Sequence, residues 1–129
     1  MNKRYSLKRN KDFRYVYNRG KSVACHLMVL IYAPNRDRRL RVGFSVGKKV
    51  GNAVARNRVK RRMREIFRMN MDAVPAGYNY ILIARAPIID AKYLDIDHHF
   101  KRLLAKTGLR KHEKPPGGDD IAKDTARRH

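Results

Sequence analysis

The segment from Arg41 to Arg68 constrains the fold and function of this chain more than any other part of it. Apolar and polar residues alternate up to Val46, a glycine loop follows at 47–51, and an arginine-rich segment continues from there. This pattern predicts a strand, a tight turn and a helix. The loop and helix contain a single acid, Glu65, against the basic residues Lys48, Lys49, Arg56, Arg58, Lys60, Arg61, Arg62, Arg64 and Arg68. Because like charges one helical turn apart repel, this surface favours binding of a polyanion.

The overall composition agrees with a globular protein that binds a polyanion. Of 129 residues, 43% are hydrophobic and 33% are charged, and the formal net charge is +21. A chain of this length can bury a core as one domain. We predict that domain at 1–112 and a disordered tail at 113–129, where no hydrophobic period is visible. The excess charge suits nucleic acid or an anionic membrane surface.

The sequence has no feature typical of secretion or membrane insertion. Cys25 is the only cysteine, which excludes an intramolecular disulfide and a cysteine-based zinc finger. Residues 1–13 are charged, unlike a signal peptide, and no apolar run approaches the ~20 residues of a membrane-spanning helix. We therefore expect a cytoplasmic protein without a membrane partner.

Hydrophobic periodicity predicts the order helix, strand, strand, helix, strand, helix, at 10–18, 26–32, 40–46, 52–70, 78–85 and 90–107. Asn10 and Asp90 are the expected caps of the first and last helices. The two strands joined by the charged turn 35–39 are expected to form an antiparallel pair. The third strand is apolar on both faces and should lie inside the sheet. One sheet packed against helices gives an α+β fold, a two-layer sandwich.

Apolar stripes identify the buried faces of the helices. Val59, Met63, Ile66 and Phe67 recur at the spacing of one helix face in the arginine-rich segment. In the first helix, Phe13 and Tyr17 share a face with Val16 and are equally suited to core packing or to stacking on unpaired bases. For Phe44, on a strand, core packing is favoured.

The glycine loop does not match a nucleotide-binding P-loop. Three residues separate Gly43 from Gly47 where that motif has four, and Lys49 stands where a Ser or Thr would bind magnesium. The loop instead predicts a tight turn whose backbone N–H groups and lysines can bind a nucleic-acid phosphate.

One short segment contains residue types that bind metals, namely Asp95, Asp97, His98 and His99. Asp95 and His99 lie one helical turn apart and could share an ion. An acidic patch offset by nearby basic residues explains the segment better, so no metal site is assigned. No nucleophile–base pair is suggested and no carboxylate pair stands beside the glycine loop, so no catalytic residue is assigned either.

The segment 42–64 resembles the signature of the bacterial ribonuclease P protein subunit family. That family carries V-G-x-S-V at a strand end, then K-K-x-G-N-A-V, then R-N-R-x-K-R, and the same residues stand here at 42–46, 48–54 and 56–61. Phe13, Val16, Tyr17 and Gly20 resemble its first helix, although Tyr17 replaces a common phenylalanine, and 83–87 resembles its late strand end. The resemblance extends over 7–106.

The resemblance implies a small α/β sandwich similar to the second domain of ribosomal protein S-five, with a left-handed β-α-β crossover. The residue pattern alone would favour the right-handed form.

The resemblance also implies the non-catalytic subunit of an endoribonuclease. A catalytic RNA, using magnesium ions, removes the 5′ leader of precursor tRNA, and one protein binds this RNA and the leader without a cofactor of its own. The residues implied to contact the catalytic RNA are Lys48, Lys49, Asn52, Arg56, Asn57, Arg58, Lys60, Arg61 and Arg64. Those implied to line a leader groove between the first helix and the sheet are Phe13, Tyr17, Met28 and Leu30.

Two alternatives remain open. A ribosomal or general RNA-chaperone protein would need the same basic surface but no enzyme partner. A magnesium-dependent nuclease acting alone would use Asp95, Asp97 and His99, and the protein free of RNA would then cut precursor tRNA.

Overall fold

The computed structural model describes residues 3–109, so the predicted tail at 113–129 lies outside the described residues. In chain order the main elements are α1 (Asn10–Arg19), β1 (Lys21–Ala24), β2 (Met28–Pro34), β3 (Arg41–Ser45), α2 (Ala53–Met69), β4 (Tyr78–Ala84) and α3 (Tyr93–Thr107). Short 3-10 turns precede α1, α2 and α3. The α+β class predicted from the sequence is confirmed. No helix of the described part is long and apolar enough to cross a membrane.

The sheet has one strand more than the sequence predicts, because β1 follows α1 almost directly and pairs antiparallel with β2. It is a short edge strand in which only Val23 is half-buried. A strand this short, with little apolar alternation, carries almost no periodic signal.

The strand order is β1-β2-β4-β3, which contradicts the predicted antiparallel pairing of the first and second predicted strands, β2 and β3. Strand β4 lies between them, antiparallel to β2 and parallel to β3. Its side chains are apolar on both faces, so the interior position buries the most hydrophobic surface. The β-α-β unit implied by the family resemblance is present as β3-α2-β4, and its left hand stays a prediction.

One face of the sheet carries α2 and α3 and contains the main core. The predicted stripe of Val59, Met63, Ile66 and Phe67 is confirmed, since all of these side chains are buried. The Phe67 ring lies 5.9 Å from Phe44, 6.1 Å from Tyr80 and 5.6 Å from Phe100, measured between ring centroids. This aromatic cluster fixes α2 on the sheet and thereby sets the direction in which its basic side chains point.

Within residues 3–109, α1 and the segment before it cover only part of the other face of the sheet. Val16 is completely buried there, together with Leu7, Ala33 and Ile81. The helix therefore adds a partial third layer to the predicted two-layer sandwich.

The helix caps differ from the predicted ones at two places. The N-cap of α1 is Arg9, without a side-chain cap, and not Asn10, which is the first helical residue. The N-cap of α3 is Lys92, because the turn containing Pro87 extends through Asp90 before the helix begins. The predicted stop of α3 is confirmed, since Gly108 takes the left-handed conformation with φ +72°.

Candidate nucleic-acid interface

The turn into α2 is built by a glycine and an asparagine. Gly51 has φ +155°, and a Cβ on it would lie 3.0 Å from the Cβ of Ala55 and 3.1 Å from Cδ1 of Ile89. The next residue, Asn52, is the N-cap, and its Oδ1 accepts a hydrogen bond from the N–H of Ala55 at 2.9 Å. The side chain predicted to contact RNA therefore also fixes the start of the helix.

The outer surface of this turn and of α2 carries a dense set of exposed polar and basic side chains. We call it the basic ridge, and it comprises Lys48, Lys49, Asn52, Asn57, Arg58, Lys60, Arg61 and Arg64. The ridge residues of α2 lie outside its buried stripe, and Lys48, Lys49 and Asn52 lie in the turn that leads into the helix. The amphipathic helix and this turn together position the ridge.

The acid Glu65 neutralises a different arginine from the expected one. Its carboxylate accepts hydrogen bonds from Arg68, with Nη2–Oε2 at 2.6 Å and Nε–Oε1 at 3.2 Å, and this contact lowers the pKa of Glu65. Arg61 lies one helical turn before Glu65, a spacing that predicts an ion pair between them, but Arg61 makes no ion pair within residues 3–109. Arg68 lies three residues after Glu65, and its forked guanidinium contacts both carboxylate oxygens. Arg61, on the preceding turn, would have to form the same two contacts to compete with it. The ridge is therefore not neutralised by the acid of its own helix.

Arg64 of the ridge and Arg56 beside the ridge are partly anchored to the protein. The guanidinium of Arg64 lies over the ring of Phe44, 6.0 Å from its centroid. Arg56 is half-buried, and its Nε has no hydrogen-bond partner in the described part of the chain. It lines a small cavity of about 210 Å³ with Val46, Ala53, Asn57 and Lys60. A buried donor without a partner costs about 1–3 kcal/mol, so Arg56 is poised to bind an acceptor from outside the chain.

A second surface lies beside α1, on the part of the sheet that this helix leaves uncovered. Phe13 and Tyr17 are one turn apart on one flank of α1, half-buried and 47% exposed respectively. Next to them the strands present partly exposed apolar side chains, namely Val29, Ile31 and Ile83. We call this surface the trough.

Gly43 lets Phe13 form the wall of the trough. A Cβ on this buried glycine would lie 2.5 Å from Cζ of the Phe13 ring, so the ring rests directly on the backbone of β3. One side of the ring thus packs against the sheet. Aromatic side chains at such a surface can stack on unpaired bases.

The prediction that Met28 and Leu30 line the leader groove is wrong. Both are completely buried in the main core, on the face of the sheet that α2 and α3 cover. Successive side chains of a strand alternate between faces, so the residues that point toward α1 are Val29 and Ile31. Strand β2 is apolar on both faces, which hides the phase of its alternation in the sequence.

In the segment with metal-binding residue types, Asp97 has a structural role. Its carboxylate accepts hydrogen bonds from Nδ2 of Asn70 at 2.9 Å and pairs with Nζ of Lys101 at 3.0 Å. The Asn70 contact, with a smaller contribution from Lys101, lowers the pKa of Asp97. Among residues 3–109, no three His, Cys, Asp or Glu side chains are arranged to hold a metal ion. The contacts of Asp97 join the end of α2 to α3.

Known proteins resemble this chain along almost all of the described part. The family model for Ribonuclease P matches residues 1–108. The ribonuclease P protein component of Clostridium kluyveri is 45% identical over 109 residues, which cover 83% of this chain and 97% of the relative. That of Clostridioides difficile is 42% identical over 109 residues, covering 84% of this chain and 96% of the relative.

Solved structures show the same likeness in three dimensions. The RNase P protein of Staphylococcus aureus is 36% identical with a TM-score of 0.75, covering 82% of this chain and 97% of that one. The RNase P protein of Thermotoga maritima is 28% identical with a TM-score of 0.72, covering 78% and 96%. The family match, the relatives and the shared architecture agree with the motif at 42–64, and the chain belongs to the family of ribonuclease P protein components.

Proposed function

We propose that this protein uses the basic ridge to bind the catalytic RNA of ribonuclease P and the trough to bind the 5′ leader of precursor tRNA. It thereby assists the endonucleolytic removal of the leader, in the cytoplasm and as one protein per RNA. The RNA subunit carries out the chemistry with magnesium ions that it binds itself. The observation that carries this proposal is the presence of two neighbouring surfaces with different chemistry.

The ridge suits a folded RNA. Its arginines are forked donors that can contact two phosphate oxygens at once, and they project from one rigid helix at fixed spacing. Because the acid of that helix is engaged by Arg68, the positive field of the ridge remains available to phosphates. Fixed positive charge where two RNAs meet would lower the magnesium concentration that the complex needs.

The trough suits an unpaired strand. It combines the aromatic rings of Phe13 and Tyr17 with an apolar floor at Ile31 and Ile83. Single-stranded nucleic acid binds to such surfaces by stacking, at ~1–3 kcal/mol per base. The ridge and the trough adjoin, since Ser45, the residue at the end of β3 before the loop with Lys48, pairs with the trough residue Ile83. One bound RNA substrate could therefore contact the trough while the catalytic RNA occupies the ridge.

Reconstitution tests this proposal directly. The protein, the catalytic RNA and a precursor tRNA are combined at a magnesium concentration too low for the RNA alone, and release of the leader is followed. We expect cleavage only when protein and catalytic RNA are both present. Cleavage by RNA-free protein would instead favour a nuclease, and recovery of ribosomal RNA alone in a pull-down would favour a ribosomal or chaperone role.

A further inference from the structure

The flank of α1 that faces away from the trough borders a second cleft. With 3.6 residues per turn, Tyr15 lies roughly opposite Phe13 and Tyr17 on the helix. Its side chain is 45% exposed and lines a cavity of about 350 Å³ together with Pro34, Asn35 and Arg36. This aromatic side chain has no place in the trough and no place in the core.

A neighbouring cavity of about 420 Å³ extends this cleft toward the segment before α1. The two cavities share the side chains of Asp12, Asp37 and Arg41, and we call them together the second cleft. Its basic residues outnumber these two acids, and they are Arg4, Lys8, Arg9, Lys11, Arg36 and Arg41. The second cleft is therefore cationic, with one exposed aromatic ring on its wall.

One of the two acids is already engaged within the protein. The carboxylate of Asp37 accepts hydrogen bonds from the guanidinium of Arg41 and, at 3.2 Å, from the backbone N–H of Arg39. The Arg41 contact, the largest contribution, lowers the pKa of Asp37. By contrast, Lys8, Lys11 and Arg36 are exposed and form no ion pair with any residue of the described range. These three cations remain available to an anionic ligand.

The turn that presents Arg36 is held in one conformation. Asn35 donates from Nδ2 to the carbonyl of Arg39 at 2.8 Å and to Oδ1 of Asn79 at 3.0 Å, and its Oδ1 accepts from the N–H of Arg38 at 2.9 Å. Arg38 has φ +62°, a left-handed conformation that is rare for a residue with a side chain. The rim of the second cleft is thus organised before any ligand binds.

We propose that the second cleft binds nucleotides of the precursor leader that lie farther toward its 5′ end than those in the trough. A base stacks on Tyr15, and the phosphates contact Lys8, Lys11 and Arg36. An exposed aromatic ring within a cationic groove is the combination that single-stranded nucleic acid requires. This inference rests on the proposed function, since it extends the path of the leader assigned to the trough.

The position of the second cleft favours the leader over the catalytic RNA as its occupant. Arg41, which lines it, is the first residue of β3, whereas the ridge begins beyond the last residue of that strand. The second cleft and the trough are separated only by α1, which is ~10–12 Å across with its side chains. The exposed side chains of Arg14 and Asn18 lie on the outer face of α1 between the two surfaces. A strand leaving the trough can cross the helix there within a few nucleotides.

A series of leaders of increasing length tests the inference in the reconstituted complex of protein and catalytic RNA. For the unmodified protein we expect binding affinity to rise a second time once the leader is long enough to cross α1. Tyr15→Ala should remove that second rise, about a fivefold loss or more for long leaders. Tyr15→Phe keeps the ring and should retain the rise. Tyr93→Ala is the matched control, because Tyr93 is a similarly exposed tyrosine on α3.

Each alternative result has a definite meaning. An equal loss for short and long leaders with Tyr15→Ala would overturn the inference, as would weaker binding of the catalytic RNA alone. No loss at any length would overturn it too. Phe13→Ala separates this failure from failure of the proposed function. A loss of affinity at every leader length with Phe13→Ala supports the trough, whatever the result for Tyr15→Ala. If Phe13→Ala has no effect, that result counts against the trough and not against the second cleft.

Discussion

The two faces of the sheet differ in how completely they are covered. On the face that α2 and α3 cover, the side chains of β2 and β4 are buried, from Met28 and Leu30 to Tyr80 and Leu82. On the other face α1 buries Ala33 and Ile81 but leaves Val29, Ile31 and Ile83 half-exposed. The covered face supplies stability and orients the ridge, and the partly covered face keeps an apolar surface accessible. Substitutions on the two faces should therefore separate folding from binding.

The largest expected effect lies on the covered face. Phe67→Ala removes a completely buried ring that contacts three other aromatic rings. We expect the free energy of unfolding, measured by urea denaturation, to fall by about 3–5 kcal/mol. Leu94→Ala is the control, since Leu94 is 76% exposed and should change it by less than about 0.5 kcal/mol. A loss below about 1 kcal/mol for Phe67→Ala would contradict the central position given to this ring.

The second largest effect is expected at Arg58 of the ridge and at Arg56 beside it. Replacing Arg56 and Arg58 together by alanine removes two candidate phosphate contacts. Binding of the catalytic RNA should weaken by about tenfold or more, since a hydrogen bond to a charged group contributes about 1.5–3 kcal/mol. The slope of log affinity against log salt concentration should also become shallower. Arg102→Ala, an exposed arginine on α3, should change neither quantity, and an unchanged salt slope in the double variant would count against these arginines as phosphate contacts.

A smaller effect is expected in the trough. Phe13→Ala should leave binding of the catalytic RNA intact but lower the preference of the complex for precursor over mature tRNA by about fivefold or more, through the loss of base stacking. The ratio of the two dissociation constants measures it. If both substrates lose affinity equally, Phe13 serves only to pack α1 on the sheet.

The smallest effect concerns the link between α2 and α3. The pKa of Asp97 is lowered in the folded state by Asn70 and Lys101, so its contribution to stability is present above the unfolded pKa and is lost as pH falls through the folded pKa. Asp97→Asn should therefore destabilise the protein at neutral pH by less than about 1 kcal/mol. The difference from the unmodified protein should vanish in acid, and a difference that persists there would show that the charge of Asp97 is not its cause.

The sequence predicts α2 and the ridge well for a physical reason. The buried stripe from Val59 to Phe67 repeats with the period of a helix and alternates with polar residues, so its direction is unambiguous. The exposed side of α2 then follows from the same period. The proposed RNA contacts require that the basic residues be exposed. This exposure could be predicted from the sequence, without the structure.

The trough could not be predicted with equal success, because its residues lie on strands that are apolar on both faces. In β2 nothing in the sequence distinguishes Leu30 from Ile31, although one is buried in the core and the other faces α1. Strand pairing depends on the whole sheet, so the turn at 35–39 could not reveal that β4 inserts between β2 and β3. The pairing of Glu65 with Arg68 depends on side-chain geometry that spacing alone does not fix.

The second cleft shows a further limit of sequence analysis. Tyr15 lies two residues from Tyr17 in the chain, and both residues are about equally exposed. Their different surroundings emerge only when the turn holding Arg36 and the start of β3 are placed beside the helix.

Site-specific cross-linking tests the division of labour between the ridge and the trough most directly. A photoreactive group is attached to a cysteine introduced by Tyr17→Cys in the trough or by Arg61→Cys on the ridge, with Cys25→Ala removing the natural thiol. After irradiation of the reconstituted complex with precursor tRNA, the cross-linked nucleotides are mapped. We predict that the group in the trough reacts with the leader and the group on the ridge with the catalytic RNA. Cross-links from Tyr17→Cys that fall on the catalytic RNA, with none on the leader, would contradict that division.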